Sequence, residues 1–302
     1  MNNFEKAKGF VYRNARPLDL ARFRFHFENG NVDEVLCALS FYQNDDGGFA
    51  YAIEPDNWNV DSTPIGTWVA TTILREIGFT DSSHPIIKGI LNYLGSGKDF
   101  ADGKWFNTVP SNNDYPHAVW WSCENKGVTS DNPTASLVGF VLRFADRTSL
   151  LYQKVSAIAT KIVAEFIENP TDEQHTVRCF AELLGYCEEI ENFDLFDLIT
   201  FRNAVIKREN DIICKDTDKW TTEYVCTPSF FFFRKNNIFQ YISRELYEYE
   251  AEILSNTQLS DGSYPITWQW YTDYKEFEIS ANWWKSDIII RNMLYLQELG
   301  KI

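Results

Sequence analysis

The sequence predicts an all-α fold of about ten to twelve helices in a single domain spanning residues 1–302. Three observations point there. Apolar residues recur at helical spacing along nearly the whole chain, proline and glycine sit where helices should begin and end, and no window alternates strongly enough to read as a sheet strand. The nearest to a strand is Ser229 to Phe233, which is short and follows Pro228.

Taken in order, the first thirty residues divide at Pro17 into two short helices. Val32, Val35, Leu36, Leu39 and Tyr42 then form one face of an amphipathic helix. Further runs cover about 63–77, 84–95 and 132–146. Leu151, Val155, Ile158, Ile162 and Phe166 repeat the pattern, followed by runs at about 173–190, 195–213, 243–257 and 285–299. Ser62 and Thr63 before Pro64, and Asn132 before Pro133, supply N-terminal caps with proline in the first turn. Gly78, Gly95 and Gly300 stand just past apolar runs, where a left-handed residue closes a helix. No Pro/Gly/Ser-rich linker divides the chain.

Composition narrows the function. With 28 Lys plus Arg against 43 Asp plus Glu, the formal charge of -15 repels nucleic acid and anionic bilayers. The N-terminus has no secretory apolar region and no apolar run reaches the roughly 20 residues of a membrane span, so a soluble, cytoplasmic protein is expected. Six cysteines without a CxxC pair read as reduced thiols, and four scattered histidines without HExxH give no expectation of a metal or other cofactor. Ten tryptophans are an excess that an aromatic site would explain.

The chain also repeats itself. Gln43-Asn44-Asp45-Asp46-Gly47-Gly48-Phe49 returns as Gln258-Leu259-Ser260-Asp261-Gly262-Ser263-Tyr264, each copy preceded by a helix and followed by an aromatic, acidic loop and another helix. A weaker echo is Asp102-Gly103-Lys104-Trp105. Asp-Gly reverses the chain through positive φ, the glutamine amide can bond exposed backbone at a neighbouring helix end, and the aromatic residue packs the joint. This pattern resembles the repeat of squalene and oxidosqualene cyclases and of protein prenyltransferase β subunits. The resemblance implies an α/α toroid, with inner and outer helices alternating around a central cavity that holds a small-molecule ligand. Such toroids also serve carbohydrate-active enzymes and non-catalytic proteins, so a protein partner stays open.

The resemblance directs attention to Asn59-Val60-Asp61-Ser62-Thr63-Pro64, which stands where class II terpene cyclases carry D-x-D-D-T-A. Asp61 matches the proton-donating aspartate and Thr63 the threonine, while Asn59 and Ser62 replace the flanking acids. The other reading of Asp61 or Ser62 is a helix cap. The zinc triad of the prenyltransferases and a D-D-x-x-D diphosphate motif find no match. Glu54, Asp56 and Asp61 share one short loop, and crowded carboxylates raise one another's pKa, so these three are the candidate acid/base residues. Candidate ligand-binding residues are Tyr51 and Trp58 beside them, His117, Trp120 and Trp121 in the middle of the chain, and Trp268, Trp270, Glu276 and Trp283 after the second repeat. Tryptophan faces serve a carbocation or a sugar ring equally well. The expectation is an enzyme acting by carboxylic acid/base chemistry on a small organic or carbohydrate-like substrate, with cation-driven cyclisation and a non-catalytic binding toroid as alternatives.

Overall fold

A computed structural model describes residues 2–124, 126–232 and 241–302. Among them are eleven helices: α1 (Asn3–Asn14), α2 (Pro17–Phe27), α3 (Val32–Ser40), α4 (Pro64–Glu76), α5 (Pro85–Gly95), α6 (Asp131–Phe144), α7 (Leu150–Glu168), α8 (Gln174–Glu188), α9 (Leu198–Ile212), α10 (Arg244–Thr257) and α11 (Phe277–Glu298). None of these is long and apolar enough to cross a membrane.

Helix ends follow local chemistry. The side chain of Thr63, rather than Asp61 or Ser62, caps α4 by accepting from Gly66 N. The helix stops where Gly78, at φ 69°, donates to Arg75 O and Phe79 to Leu74 O. Gly300 ends α11 by the same pair of bonds, to Gln297 O and from Lys301 to Leu296 O. Gly95 instead remains helical, and the left-handed residue is Gly97. Helix α11 begins at Phe277, about two turns before the sequence pattern becomes visible, so Trp283 and Trp284 are helical.

The fold is mostly helical but not purely so. Strands β1 (Phe100–Ala101), β2 (Lys104–Thr108) and β3 (Val128–Thr129) form a small antiparallel sheet in the order β1-β2-β3. The weak echo Asp102-Gly103 is the two-residue turn of its hairpin, with φ of 53° and 83°, the left-handed pair that matches strand twist. This sheet is a correction to the all-α expectation. Its strands are too short for alternation to rise above the helical pattern. Pro228–Phe231 forms a single 3-10 turn, and Phe233 lies outside the described residues.

The two strong repeats build one joint twice. Gln43 Nε2 donates to Gly47 O (2.9 Å) and to Ile86 O in α5 (3.2 Å). Gln258 Nε2 donates to Gly262 O (3.0 Å) and to Asn3 O in α1 (2.9 Å). Asp46 accepts from Gly48 N and Asp261 from Ser263 N, while Phe49 and Tyr264 are buried behind them. A Cβ on Gly47 would lie 2.1 Å from Gly89 O of α5, and one on Gly262 would lie 2.1 Å from Lys6 O of α1. Only glycine fits either turn. Helix α1 thus stands to the second joint as α5 stands to the first.

Packing neighbours run in sequence: α2 on α3, α4 on α6, α6 on α7 and α8, α8 on α9, and α10 on α11. The turn at Pro228–Phe231 touches both α8 and α10, and α11 returns to pack on α1 and α2. The larger core cluster runs through α3 to α9, and a second joins α1, Phe23 of α2, Ala251 of α10 and α11. The chain's two ends therefore share one core.

Candidate active site

Between these helices lies a cavity of about 1040 Å³. Four helices each turn one stripe of side chains into it, at spacings of three and four residues: Trp68, Thr72 and Arg75 of α4, His175, Arg178 and Glu182 of α8, Glu250, Ile253 and Thr257 of α10, and Trp284, Asp287 and Arg291 of α11. The loop at 53–56 and the segments around Trp120, Trp220 and Trp268 complete the wall.

The loop after the first joint carries the two acids that reach the cavity. Tyr51 and Ala52 take positive φ, 58° and 55°, so the chain reverses there without glycine. Arg16, buried against Asp19, holds that reversal by donating to Ala52 O at 2.6 Å. Past it, Asn112 Oδ1 accepts from Asn57 and Asn59 at 3.0 Å each, and Ala118 N donates to Asp56 O at 2.9 Å. Trp58 Nε1 donates to Ser280 Oγ, whose hydroxyl donates to Pro55 O, which fastens the loop to α11. Glu54 and Asp56 are thereby fixed by backbone and amide contacts, independent of any ligand.

Asp56 is buried and accepts two indole N–H groups, from Trp270 at 2.6 Å and Trp268 at 3.2 Å. Burial pushes its carboxyl up, and the indoles of Trp270, Trp284 and Trp268 act against that rise. Glu54 is held well above the usual carboxylate range, first by burial and then by the neighbouring Asp56 charge. The Asp56 amide and the Trp121 indole lean the other way, although neither Trp121 Nε1 nor Glu54 Oε2 completes a hydrogen bond of good geometry. Burial and the Asp56 charge thus favour the protonated form of Glu54, and one of its oxygens has no hydrogen-bond partner among the described residues.

The structure brings Glu54, Asp56, Trp120, Trp121 and Trp268 to the cavity, with Trp270 directly behind Asp56. The other candidates lie apart. Asp61 is exposed, its backbone amide bonded to Asn59 Oδ1, and is not among the cavity's lining residues. Tyr51 is also exposed. Trp58 and Trp283 stack on each other at 5.2 Å, as a packed joint between the loop and α11. Glu276 stands immediately before α11, where its carbonyl accepts from Ile279 and Ser280. His117 is buried with both ring nitrogens engaged, Nδ1 with Tyr115 O at 2.6 Å and Nε2 with Ser122 Oγ at 3.1 Å.

Several lining residues escaped the sequence reading. Glu182 accepts from Trp68 Nε1 at 2.7 Å and pairs with Arg178 at 3.1 Å. His175 Nε2 meets Tyr224 Oη at 3.1 Å, and Tyr224 packs edge-on against Trp268. Trp284 also packs edge-on against Trp268. Their signal was present as polar residues at positions 175, 178 and 182 of an otherwise apolar helix, a stripe opposite to the one that predicts the core.

Comparisons with protein-family models, curated proteins and solved structures give no match to this chain, so its role rests on the site's own geometry.

Proposed function

We propose that the chain is an α/α toroid whose central cavity binds a carbohydrate-like substrate and acts on it by acid catalysis from Glu54. The equivalence of α1 and α5 at the two joints supports the ring. If each unit is helix, joint, inner helix and outer helix, the unit that ends with α11 lacks its outer helix, and α1 fills that place. The first and last helices then close the circle.

The observation that carries the chemistry is Glu54: a buried carboxyl that faces a tryptophan-rich cavity with an unpartnered oxygen. A neutral acid in that setting can deliver a proton to the bridging oxygen of a glycoside as its C–O bond breaks, with water supplying the hydroxyl. Both oxygens of Asp56 are engaged by indoles, so it acts as a fixed neighbouring charge that keeps the proton on Glu54. Trp120, Trp268 and Trp284 offer faces for sugar rings. Cyclisation of an alkene fits less well, because Asp61, the counterpart of the cyclase acid, is exposed, and the described residues of the cavity wall include five arginines.

Thermal unfolding with panels of oligosaccharides and of polyprenes tests this reading. An oligosaccharide at about 100 times its dissociation constant should add roughly 2.7 kcal/mol of stability. Glu54→Gln should keep that shift and lose hydrolysis. A shift from polyprenes alone would overturn the reading, and no shift from either panel would favour a non-catalytic toroid.

A further inference from the structure

The cavity's cations are unusual for so acidic a chain. Among the described residues, all five basic lining residues apart from histidine are arginines, and lysine contributes none. Arg16 and Arg22 are buried and serve the fold through Asp19, Glu76 and Asp287. Arg178 and Arg291 differ. They project from α8 and α11 into the same space, and the side chain of Arg291 keeps 49% of its surface accessible. Arg291 lines the cavity, so part of that accessible surface is cavity wall.

The carboxylate partner of Arg291 leaves capacity over. Asp287 serves two guanidiniums, Arg22 through Oδ1 at 2.8 Å and Arg291 through Oδ2 at 2.8 Å, and the second contact lacks hydrogen-bond geometry. Glu182 divides its oxygens between Arg178 and the Trp68 indole. His175 lies beside both arginines. Burial first, and then their charges, hold its pKa below the ordinary histidine value, against an opposing pull from Glu173. The two arginines also disfavour each other: Arg291 is lowered by burial and, against the pull of Asp287, by the charges of Arg178 and Arg22. An incoming anion would relieve that repulsion.

The surroundings suit a sugar that carries such an anion. Arg178 lies 5.9 Å from the ring centre of Trp68, and Arg291 lies 5.9 Å from that of Trp284. Tyr224, bonded to His175, continues the aromatic wall to Trp268. Guanidinium groups recognise planar oxyanions with two parallel bonds, which a lysine cannot do.

Resting on the carbohydrate reading above, we infer that Arg178, Arg291 and His175 form a subsite for an oxyanion, carboxylate or phosphate, borne by the sugar. The net charge of -15 would otherwise repel such a ligand, so a local arginine pair is what its recognition requires.

Calorimetric titration of the intact protein with matched probes tests this. Trigalacturonate is compared with its methyl ester, and glucose 6-phosphate with glucose. At least one charged probe should bind about tenfold more tightly than its neutral counterpart, the size of one charge-assisted hydrogen bond. The pair that shows the difference identifies the oxyanion. Arg291→Gln should abolish most of the preference and Arg291→Lys should restore part of it, with thermal melting reporting the fold of each. Should Arg291→Gln fail to fold, the wild-type preference must still shrink between about 20 mM and about 500 mM salt. Equal binding of charged and neutral probes overturns the subsite and leaves the carbohydrate reading standing. Binding of none of the four overturns both.

Discussion

Arg22 of α2 and Asp287 of α11, 265 residues apart, pair at 2.8 Å inside the protein. The same guanidinium reaches Glu76 at the end of α4 at 2.6 Å and Asp19 one turn away at 3.1 Å. One buried arginine thus ties together α2, α4 and α11. His26 Nε2 adds a contact to Glu76 Oε1 at 2.8 Å.

Removing one member of this network leaves its partners charged and buried. Glu76→Gln should cost about 3–5 kcal/mol of unfolding free energy in urea titrations at pH 7. Opposing burial, Arg22 and His26 hold Glu76 below the usual carboxylate range, and Arg291 and then Arg22 hold Asp287 there. Their stabilisation is therefore full above the unfolded-state pKa near 4 and is lost as pH falls below it. The variant should show a shallower acid limb than wild type. Equal limbs would mean that the network contributes nothing to acid stability.

The two joints make a paired prediction. Gly47→Ala and Gly262→Ala each force a Cβ into backbone oxygen at 2.1 Å and a left-handed φ of 88° or 98°. Each should destabilise by more than the about 1 kcal/mol that left-handed strain alone costs a non-glycine residue. Gly300→Ala, at φ 65° with open space around it, supplies that strain alone. If all three lose the same amount, close packing at the joints has no part in stability.

Among the described residues, Glu209 has no hydrogen-bond partner for either oxygen, and it is completely buried. Burial alone raises its pKa well above 4.5. An acid raised in the folded state stabilises fully below its unfolded pKa, and that contribution falls as pH climbs towards the folded value. Glu209→Met, similar in volume and uncharged, should raise the melting temperature more at pH 8 than at pH 4. A variant less stable than wild type at both pH values would show that Glu209 has a polar role in the fold.

The helices were legible because most are amphipathic over two or more turns, as Val35, Leu36 and Leu39 are in α3. The first half of α11 was not, since Trp283 and Trp284 lie on different walls and blur any single stripe. Glu54 and Asp56 were legible as acids crowded into one loop. What separates them from Asp61 is the threading of that loop by Asn112 and Arg16, contacts made across the chain that leave no local pattern. The motif likeness pointed at Asp61, while the fold spends its cap on Thr63 and leaves Asp61 outside the cavity.

Trp270 is the residue through which the fold controls Asp56. Its indole hydrogen bond of 2.6 Å opposes the burial that raises the Asp56 carboxyl. In Trp270→Phe the ring remains and the donor goes, so the pKa of Asp56 should rise further, as carbon-13 titration of the side-chain carboxyls would show. The sign for stability follows. At pH 7 the variant must either bury a less satisfied carboxylate or take up a proton, costing about 1–3 kcal/mol, whereas near pH 4, where the neutral form needs the donor less, the loss should be smaller. Because a charged Asp56 helps to keep the proton on Glu54, neutralising it should also lower the Glu54 pKa. Opposite movements of the two carboxyl resonances would demonstrate that they titrate as a coupled pair, and independent movement would remove Asp56 from any role in setting the acidity of Glu54.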